Sequence, residues 1–510
     1  MNFTARVLCA ILLVAVVNHA RAAEPVLLGA PTYVPTADHP VGWRGDWTGK
    51  YPGATPPLEW SIGKDLKGKN VAWVTQLPMY CGGSGASSPI VVGDRIYFCI
   101  ASKDAGLGPV SLCCVNLNDG KILWLRPLTE YDVASDDDRK KVQAAVDPLR
   151  AALEKNTAAL VDALNKRTAN QGDWHNNAVG HFIDPGWGIN AQFVAADKAH
   201  YKMADRNDWG YASAAPCSDG KFVYVWFSNR IAACFDLDGK LIWATMEPAA
   251  LRGAGEHGSH ASPVLLPDRF VVMYGTLVIA FDKKTGKVLW TSEAEGSWGL
   301  PQSSLTAAKL SDGWLIMIAQ GQGLRADTGV SLWGKFGGYA GENTTPVIEN
   351  GMFATYERSG ISTFKLPGAI AGGTLTTAAA YKFATQFVDY QIASPLIYNG
   401  LVYCVNETGK LRVFDPASQG AILYEQQLEL KGEHGWVGAP GVSASPAIAG
   451  KNLYVMDNQG TMVVLEPGRT YKPLAHNLSE SGDQMVVSPV FSGKKIIMRG
   501  QQNLYCISAP

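Results

Sequence analysis

Polar and apolar positions along this 510-residue chain alternate in short runs that turn residues keep interrupting. The clearest run is Ala280-Phe281-Asp282-Lys283-Lys284-Thr285-Gly286-Lys287-Val288-Leu289-Trp290. Its left half is apolar and β-prone, while Asp282 to Gly286 is turn chemistry. An Asp side chain accepts from a backbone N–H two residues on, and Gly takes positive φ at little cost. The stretch predicts strand, tight turn, strand. Trp290 ends the second strand with a large apolar surface that one hairpin cannot cover. A unit that cannot bury its own face must stack on copies of itself.

Copies are present. Cys114 to Trp124 has the same length, and Gly323 to Trp333 keeps the Thr-Gly pair and the Trp. Cys234 to Trp243 is one residue shorter in its turn, and Val413 to Tyr424 is one longer with Tyr for Trp. Weaker copies follow Val464 and end at Cys506. Upstream of each lies a small residue and Pro ahead of an apolar strand: Ser88-Pro89, Ala215-Pro216, Ser262-Pro263, Thr345-Pro346, Ser394-Pro395, Ser445-Pro446 and Ser488-Pro489, with Ser303-Ser304 filling one place without Pro. Successive spacings are 127, 47, 41, 42, 49, 51 and 43 residues, so only the first departs from a regular period. Eight such positions predict an all-β, eight-bladed β-propeller of four-stranded antiparallel blades, one domain despite its length.

The pattern Ala-x-Asp-x-x-Thr-Gly-x-x-x-Trp, complete at Ala280 to Trp290, resembles the tryptophan-docking motif of the quinoprotein (PQQ-like) β-propellers. That family includes periplasmic quinoprotein alcohol dehydrogenases and the propeller lipoprotein of the outer-membrane barrel-assembly machinery. The resemblance spans roughly residues 70 to 508, with one full match and four degraded ones. It speaks for fold more than for activity, because one fold hosts catalytic and scaffolding members alike.

Residues 1–22 read as a signal peptide: Arg6 precedes the apolar run Val7 to Val17, and Ala20-Arg21-Ala22 offers the small-x-small cleavage pattern. That run is too short to span a bilayer, so no membrane insertion is expected. These features imply an exported protein, periplasmic or extracellular. Net charge is −1, which gives no electrostatic footprint for nucleic acid. Residues 23–69 form a Pro- and Gly-rich N-terminal extended segment, where Arg44-Gly45-Asp46 reads as a tripeptide in a turn rather than an adhesion signal. The propeller then occupies residues 70–510. Asn70 to Thr75 carries the Ala-Trp end of a repeat, and so completes the eighth blade and closes the ring.

The long first spacing holds an insertion, residues 129–208, between blades 1 and 2. Ser135 to Asp138 has the form of a capping box, Asp147-Pro148 restarts a second helix, and Leu149, Leu153, Leu160 and Leu164 recur at near-helical spacing. A helical hairpin follows, either a lid over the channel mouth or a clip on apolar surface. Trp174 to His181, with Trp187, is the part expected to face a ligand.

Nine cysteines include eight beyond the leader. Cys114, Cys234 and Cys506 occupy the motif's Ala position and read as small apolar substitutes. The family's dehydrogenases set a disulfide of adjacent cysteines against the quinone. Here Cys113 and Cys114 fall within a strand, where neighbours point to opposite faces. That vicinal bond, and a pairing of Cys99 with either one, are left open. No Cys-x-x-Cys-His occurs, which excludes a covalent c-type haem. Asp236-Leu237-Asp238-Gly239 has a calcium-loop look but is the repeat's own turn.

Segments just ahead of each small-Pro pair are expected to converge on the channel. They supply Tyr80, Cys81, Trp209, Tyr211, Trp298, Gln302, Tyr390, Gln391, Asp483 and Gln484, and the binding candidates Glu256, His257, His260, Glu342, Asn343, Glu433, His434 and Trp436. Glu256 and His260, four apart, are also a candidate metal pair. Family dehydrogenases hold calcium beside the quinone with a carboxylate and an amide and use an Asp base; those residues do not match one by one, but Glu342-Asn343 and Asp389 are the right residue types in plausible places. The chain is shorter than such enzymes, and Arg252 and Arg325 are the only guanidiniums expected near an anionic quinone. The first reading is therefore a non-catalytic binding or scaffold propeller without a cofactor, engaging protein or glycan at the loop-rich face, in cell-envelope assembly. The alternative is a PQQ- and Ca²⁺-dependent alcohol or sugar dehydrogenase. A polysaccharide-active enzyme, which needs a close carboxylate pair, is a third.

Overall fold

The computed structural model describes residues 25–77, 87–101, 107–166, 179–201, 211–247, 259–295, 303–334, 344–357, 360–382, 391–418, 421–430 and 441–509. Eight antiparallel sheets form the eight blades of a propeller, each running from an inner strand at the channel to an outer strand at the rim. Blade 3 shows the plan: Val264–Leu265, Arg269–Tyr274, Leu277–Asp282 and Val288–Glu293 pair in chain order. Blade 8 takes its outer strand from the other end of the chain, since Val71–Gln76 pairs with Asn503–Ser508. The ring is closed by hydrogen bonds between its two ends, as the sequence predicts.

The turn chemistry is as read. Asp282 Oδ1 accepts from Lys284 N (3.1 Å), Thr285 N (2.8 Å) and Thr285 Oγ1 (2.7 Å), and Gly286 stands at φ +71°. Positive φ is not the only demand on that glycine. A Cβ there would stand 2.5 Å from Trp243 Cε3, because the indole of each blade lies flat on the turn of the next. Gly120 meets Trp73, Gly239 meets Trp124, and Gly329 meets Trp290 in the same way. Three of these indole N–H groups reach across the seam to the carbonyl after the turn's first residue. Trp73 Nε1 donates to Leu117 O (3.3 Å), Trp243 to Lys283 O (3.0 Å) and Trp290 to Ala326 O (3.0 Å).

Two tryptophans depart from this plan for identifiable reasons. Blade 2's turn is one residue short, and its Leu237 carbonyl is taken by Tyr97 Oη (3.0 Å) and by Arg95, so Trp124 Nε1 is buried without an acceptor. Blade 5 has no Thr-Gly turn between Lys365 and Thr376, and Trp333 folds back on Gly321 O of its own blade (2.9 Å). Trp124 and Trp243 are buried, while Trp290 and Trp333 are half-buried. The apolar core lies between blades: one cluster joins blades 7, 8 and 1, and another joins blades 2, 3 and 4.

The insertion folds as helices, with one correction. Helix α1 (Glu130–Val133) is followed by α2 (Asp136–Asn165), which runs unbroken through Pro148 instead of restarting there. Proline costs the helix one hydrogen bond, but Val142 and Val146 before it and Leu153, Leu160 and Leu164 after it are buried on one continuous stripe. Ser135 caps α2 by accepting from Asp138 N (3.1 Å). Helix α3 (Val179–Ala196) packs on α2, and α4 (Lys198–Tyr201) follows. Asn165 grips the outer strand of blade 1 through Ile122 N (2.9 Å) and Ile122 O (2.8 Å). The described helices thus clip the outer flank of the ring. Trp187 packs on that core; residues 174–178 lie outside the described residues.

All seven described cysteines, Cys99, Cys113, Cys114, Cys217, Cys234, Cys404 and Cys506, are buried, with no disulfide among them. Cys113 and Cys114 enter different core clusters on opposite faces of their strand, and Cys99 stands across from Leu112 with no disulfide to either, so neither pairing left open above forms.

Candidate functional site

The inner circle of the ring is built by the small-Pro pairs. In six of the eight places the small residue donates its N–H to the hydroxyl of the equivalent residue one blade on: Ala215 N to Ser262 Oγ (3.1 Å), Ser262 N to Ser304 Oγ (2.8 Å), Ser304 N to Thr345 Oγ1 (3.0 Å), Thr345 N to Ser394 Oγ (2.8 Å), Ser394 N to Ser445 Oγ (2.9 Å) and Ser445 N to Ser488 Oγ (3.0 Å). The small residue is therefore a Ser or Thr for a reason, and Ser304, not Ser303, fills the fourth place. Ala215 is the one member with no hydroxyl to offer.

The N-terminal segment enters this circle. Innermost strands leave an unpaired edge facing the channel, and such edges must be covered. Lys50–Tyr51 adds a parallel fifth strand to the inner edge of blade 7. Arg44, fully buried, donates Nη1 to Pro395 O (3.0 Å) and Nη2 to Pro446 O (2.6 Å), while Trp47 Nε1 reaches Pro263 O on the other side of the ring (3.0 Å). Val41 bridges to Ser218, Lys50 pairs with Glu349, and Thr55 N bonds Gly493 O (2.8 Å). The segment touches blades 2, 3, 5, 6, 7 and 8 and seals the channel at the face carrying the first hairpin turn of each blade. Arg44-Gly45-Asp46 does sit in a turn, closed by Gly42 N to Gly45 O (2.7 Å), but its arginine is a structural centre. Burial lowers that guanidinium to about 10, so it stays charged at neutral pH. Of the two guanidiniums expected nearby, Arg325 bonds Asp327 in its own turn (2.7 Å) and Arg252 lies outside the described residues; Arg44 and Arg499 are buried against carbonyls at the inner strands.

Of the channel candidates, Tyr211, His260, Gln391, Asp483 and Gln484 are described. Tyr80, Cys81, Trp209, Glu256, His257, Trp298, Gln302, Glu342, Asn343, Asp389, Tyr390, Glu433, His434 and Trp436 lie outside the described residues. His260 Nδ1 is held by Ser213 Oγ at 2.5 Å. Asp483 is buried beneath a turn of blade 8, where Oδ1 accepts from Gln502 N (3.0 Å) and Oδ2 from Asn503 N (2.9 Å) and Tyr505 Oη (3.1 Å). Burial outweighs those bonds and raises its pKa. Gln484 accepts from Gln501 through both its backbone and its side chain, at 2.9 Å each. Tyr211 O takes Ser228 N (2.8 Å), and Met485 N reaches back to Asn458 O of the preceding blade (2.7 Å). His260 and Met485 link one blade to its neighbour, whereas Tyr211, Asp483 and Gln484 brace their own blade, roles that side-chain lettering does not reveal. Among the described residues no group of three His, Cys, Asp or Glu is placed to hold a metal.

A family profile described as "Outer membrane protein assembly factor BamB" matches residues 202–351. Solved structures sharing this propeller's fold include the quinohemoprotein alcohol dehydrogenase from Comamonas testosteroni, 11% identical with a TM-score of 0.50 over 87% of this chain and 76% of that one. BamB from Moraxella catarrhalis is 14% identical, with a TM-score of 0.43 over 57% of this chain and 80% of that one. A europium-containing methanol dehydrogenase is 11% identical, with a TM-score of 0.45 over 84% of each chain. At such identities the likeness speaks for the fold alone. No curated protein matches the chain.

Proposed function

We propose that this PQQ-like propeller is an exported, non-catalytic binding module that engages a protein or glycan partner on the face opposite the N-terminal segment, in cell-envelope assembly. One observation carries the reading: the hydroxyl belt and His260 bind one blade to the next, while Asp483 and Gln484 brace a turn of their own blade. The sealed face directs a partner to the other end of the channel. Export rests on Arg6, the apolar run behind it and Ala20-Arg21-Ala22, and N-terminal sequencing of the mature protein tests it. The BamB profile supports a partner-binding role.

The described residues do not fit an anionic quinone. Such a cofactor needs cations for its carboxylates and oxygen ligands for a hard metal ion. Arg44 and Arg499 give their N–H groups to Pro395, Pro446 and Ser87 carbonyls. Titrating the protein with PQQ and Ca²⁺ tests this: no tight binding and no dye-linked dehydrogenase activity are expected. Submicromolar affinity abolished by Glu342→Gln or Asp389→Asn overturns the scaffold reading in favour of the dehydrogenase.

A further inference from the structure

A second site lies on the sealed face, between the N-terminal segment and blades 3 to 5. There a cavity of about 170 Å³ is walled by Tyr33, Trp47 and Trp314, with Asp38, His39 and Asp46 at its polar side. A water's share of liquid volume is about 30 Å³, so the space suits a ligand of several heavy atoms.

Asp46 is the unusual member. Its Oδ1 is fixed by Thr48 N (3.2 Å) and by the Thr48 hydroxyl, while Oδ2 has no side-chain partner among the described residues. Asp46 is an exposed residue that lines the open side of the cavity. Of the nearby ammonium groups, Lys50 is paired with Glu349, and Lys309 rests over the Trp314 ring at 5.6 Å, so neither bonds Asp46. No Lys or Arg lines the cavity. Two carboxylates and three aromatic rings around an unfilled volume match a cation with an apolar body: the charge meets Asp46 and the ring faces, and the body meets the indoles.

We infer that this cavity binds a small organic cation, an alkylammonium compound, with Asp46 as its counter-ion and Trp47, Trp314 and Tyr33 as its walls. The site is separate from the partner-binding face and stands or falls independently of it. A neutral sugar would use the same rings but would not need the carboxylate's charge.

Choline and its uncharged isostere 3,3-dimethyl-1-butanol separate those cases when titrated into the full protein by calorimetry and tryptophan fluorescence. Choline should saturate, with the isostere bound at least tenfold more weakly. Asp46→Asn keeps the Oδ1 acceptor that holds Thr48 and removes only charge, so it should weaken choline at least tenfold while the melting temperature holds. Asp38→Asn, an exposed position, provides a second variant with a smaller loss in the same direction. Equal binding of choline and isostere, unchanged affinity in Asp46→Asn, or no saturation by tens of millimolar overturns the assignment.

Discussion

Glu130, at the start of α1, is fully buried, and neither carboxyl oxygen has a hydrogen-bond partner. Its own N–H is satisfied by Asn190 Oδ1 (2.9 Å), so the helix start is well made and only the acid is stranded. Burial pushes its pKa up to about 8, with Arg230 opposing and Asp132 reinforcing the shift. An unfolded chain releases that proton near 4.5. The folded state therefore holds the proton more tightly, and stability falls as pH rises between those two values. One proton's difference is worth about 1.4 kcal/mol per pH unit, so the site alone costs roughly 2–3 kcal/mol between about pH 6 and pH 8. Glu130→Gln keeps the shape and removes the titration. Thermal or urea unfolding of both proteins across this range isolates the term, because every other group is shared. The two should be close in stability near pH 5 apart from a constant offset, and the variant should gain steadily on the parent up to pH 8. Parallel stability curves would refute the reasoning and mean that the carboxylate is ionised and paired in the native protein.

Trp243→Ala, which loses a buried indole, its stack on Gly286 and its bond to Lys283 O, should cost about 3–5 kcal/mol in urea unfolding. Trp290→Ala should cost less, because that ring is half-buried. Ser394→Ala leaves the buried Thr345 N–H without its acceptor and should cost about 1–3 kcal/mol, whereas Ala215→Ser, supplying the belt's missing hydroxyl, should raise stability by about 0.5–1.5 kcal/mol. Both are read by calorimetric melting.

Where structure depended on neighbours in sequence, the chain could be read. Asp282 and Gly286 make a turn by local rules, and the large ring of Trp290 demands a neighbour, so blade count, closure by Val71–Gln76 and the inserted helices were all legible. The N-terminal segment was not, because it carries no period: it binds carbonyls, which every residue possesses, and Arg44 differs from a surface arginine only by what surrounds it. The same limit applied to the channel. Asp483 and His260 are polar residues in the right places, but whether a side chain faces a ligand or braces a strand depends on partners up to 47 residues away, as with Ser213 and His260.

The small-Pro pair shows how much of this was written in one signature without being readable. The pair opens the innermost strand of a blade, an edge that faces the channel. Proline is tolerated at edges because it has no N–H to leave unpaired. The residue before it does have one, and the next blade's Ser or Thr hydroxyl takes it, as Ser394 Oγ takes Thr345 N. What the proline still offers is its carbonyl, and Pro263, Pro395 and Pro446 give theirs to Trp47 and Arg44. Hydroxyl, missing N–H and free carbonyl are thus three parts of one solution to an exposed edge. It follows that the N-terminal segment and the small-Pro pairs form a single hydrogen-bonded unit, and that the segment is part of the propeller's core.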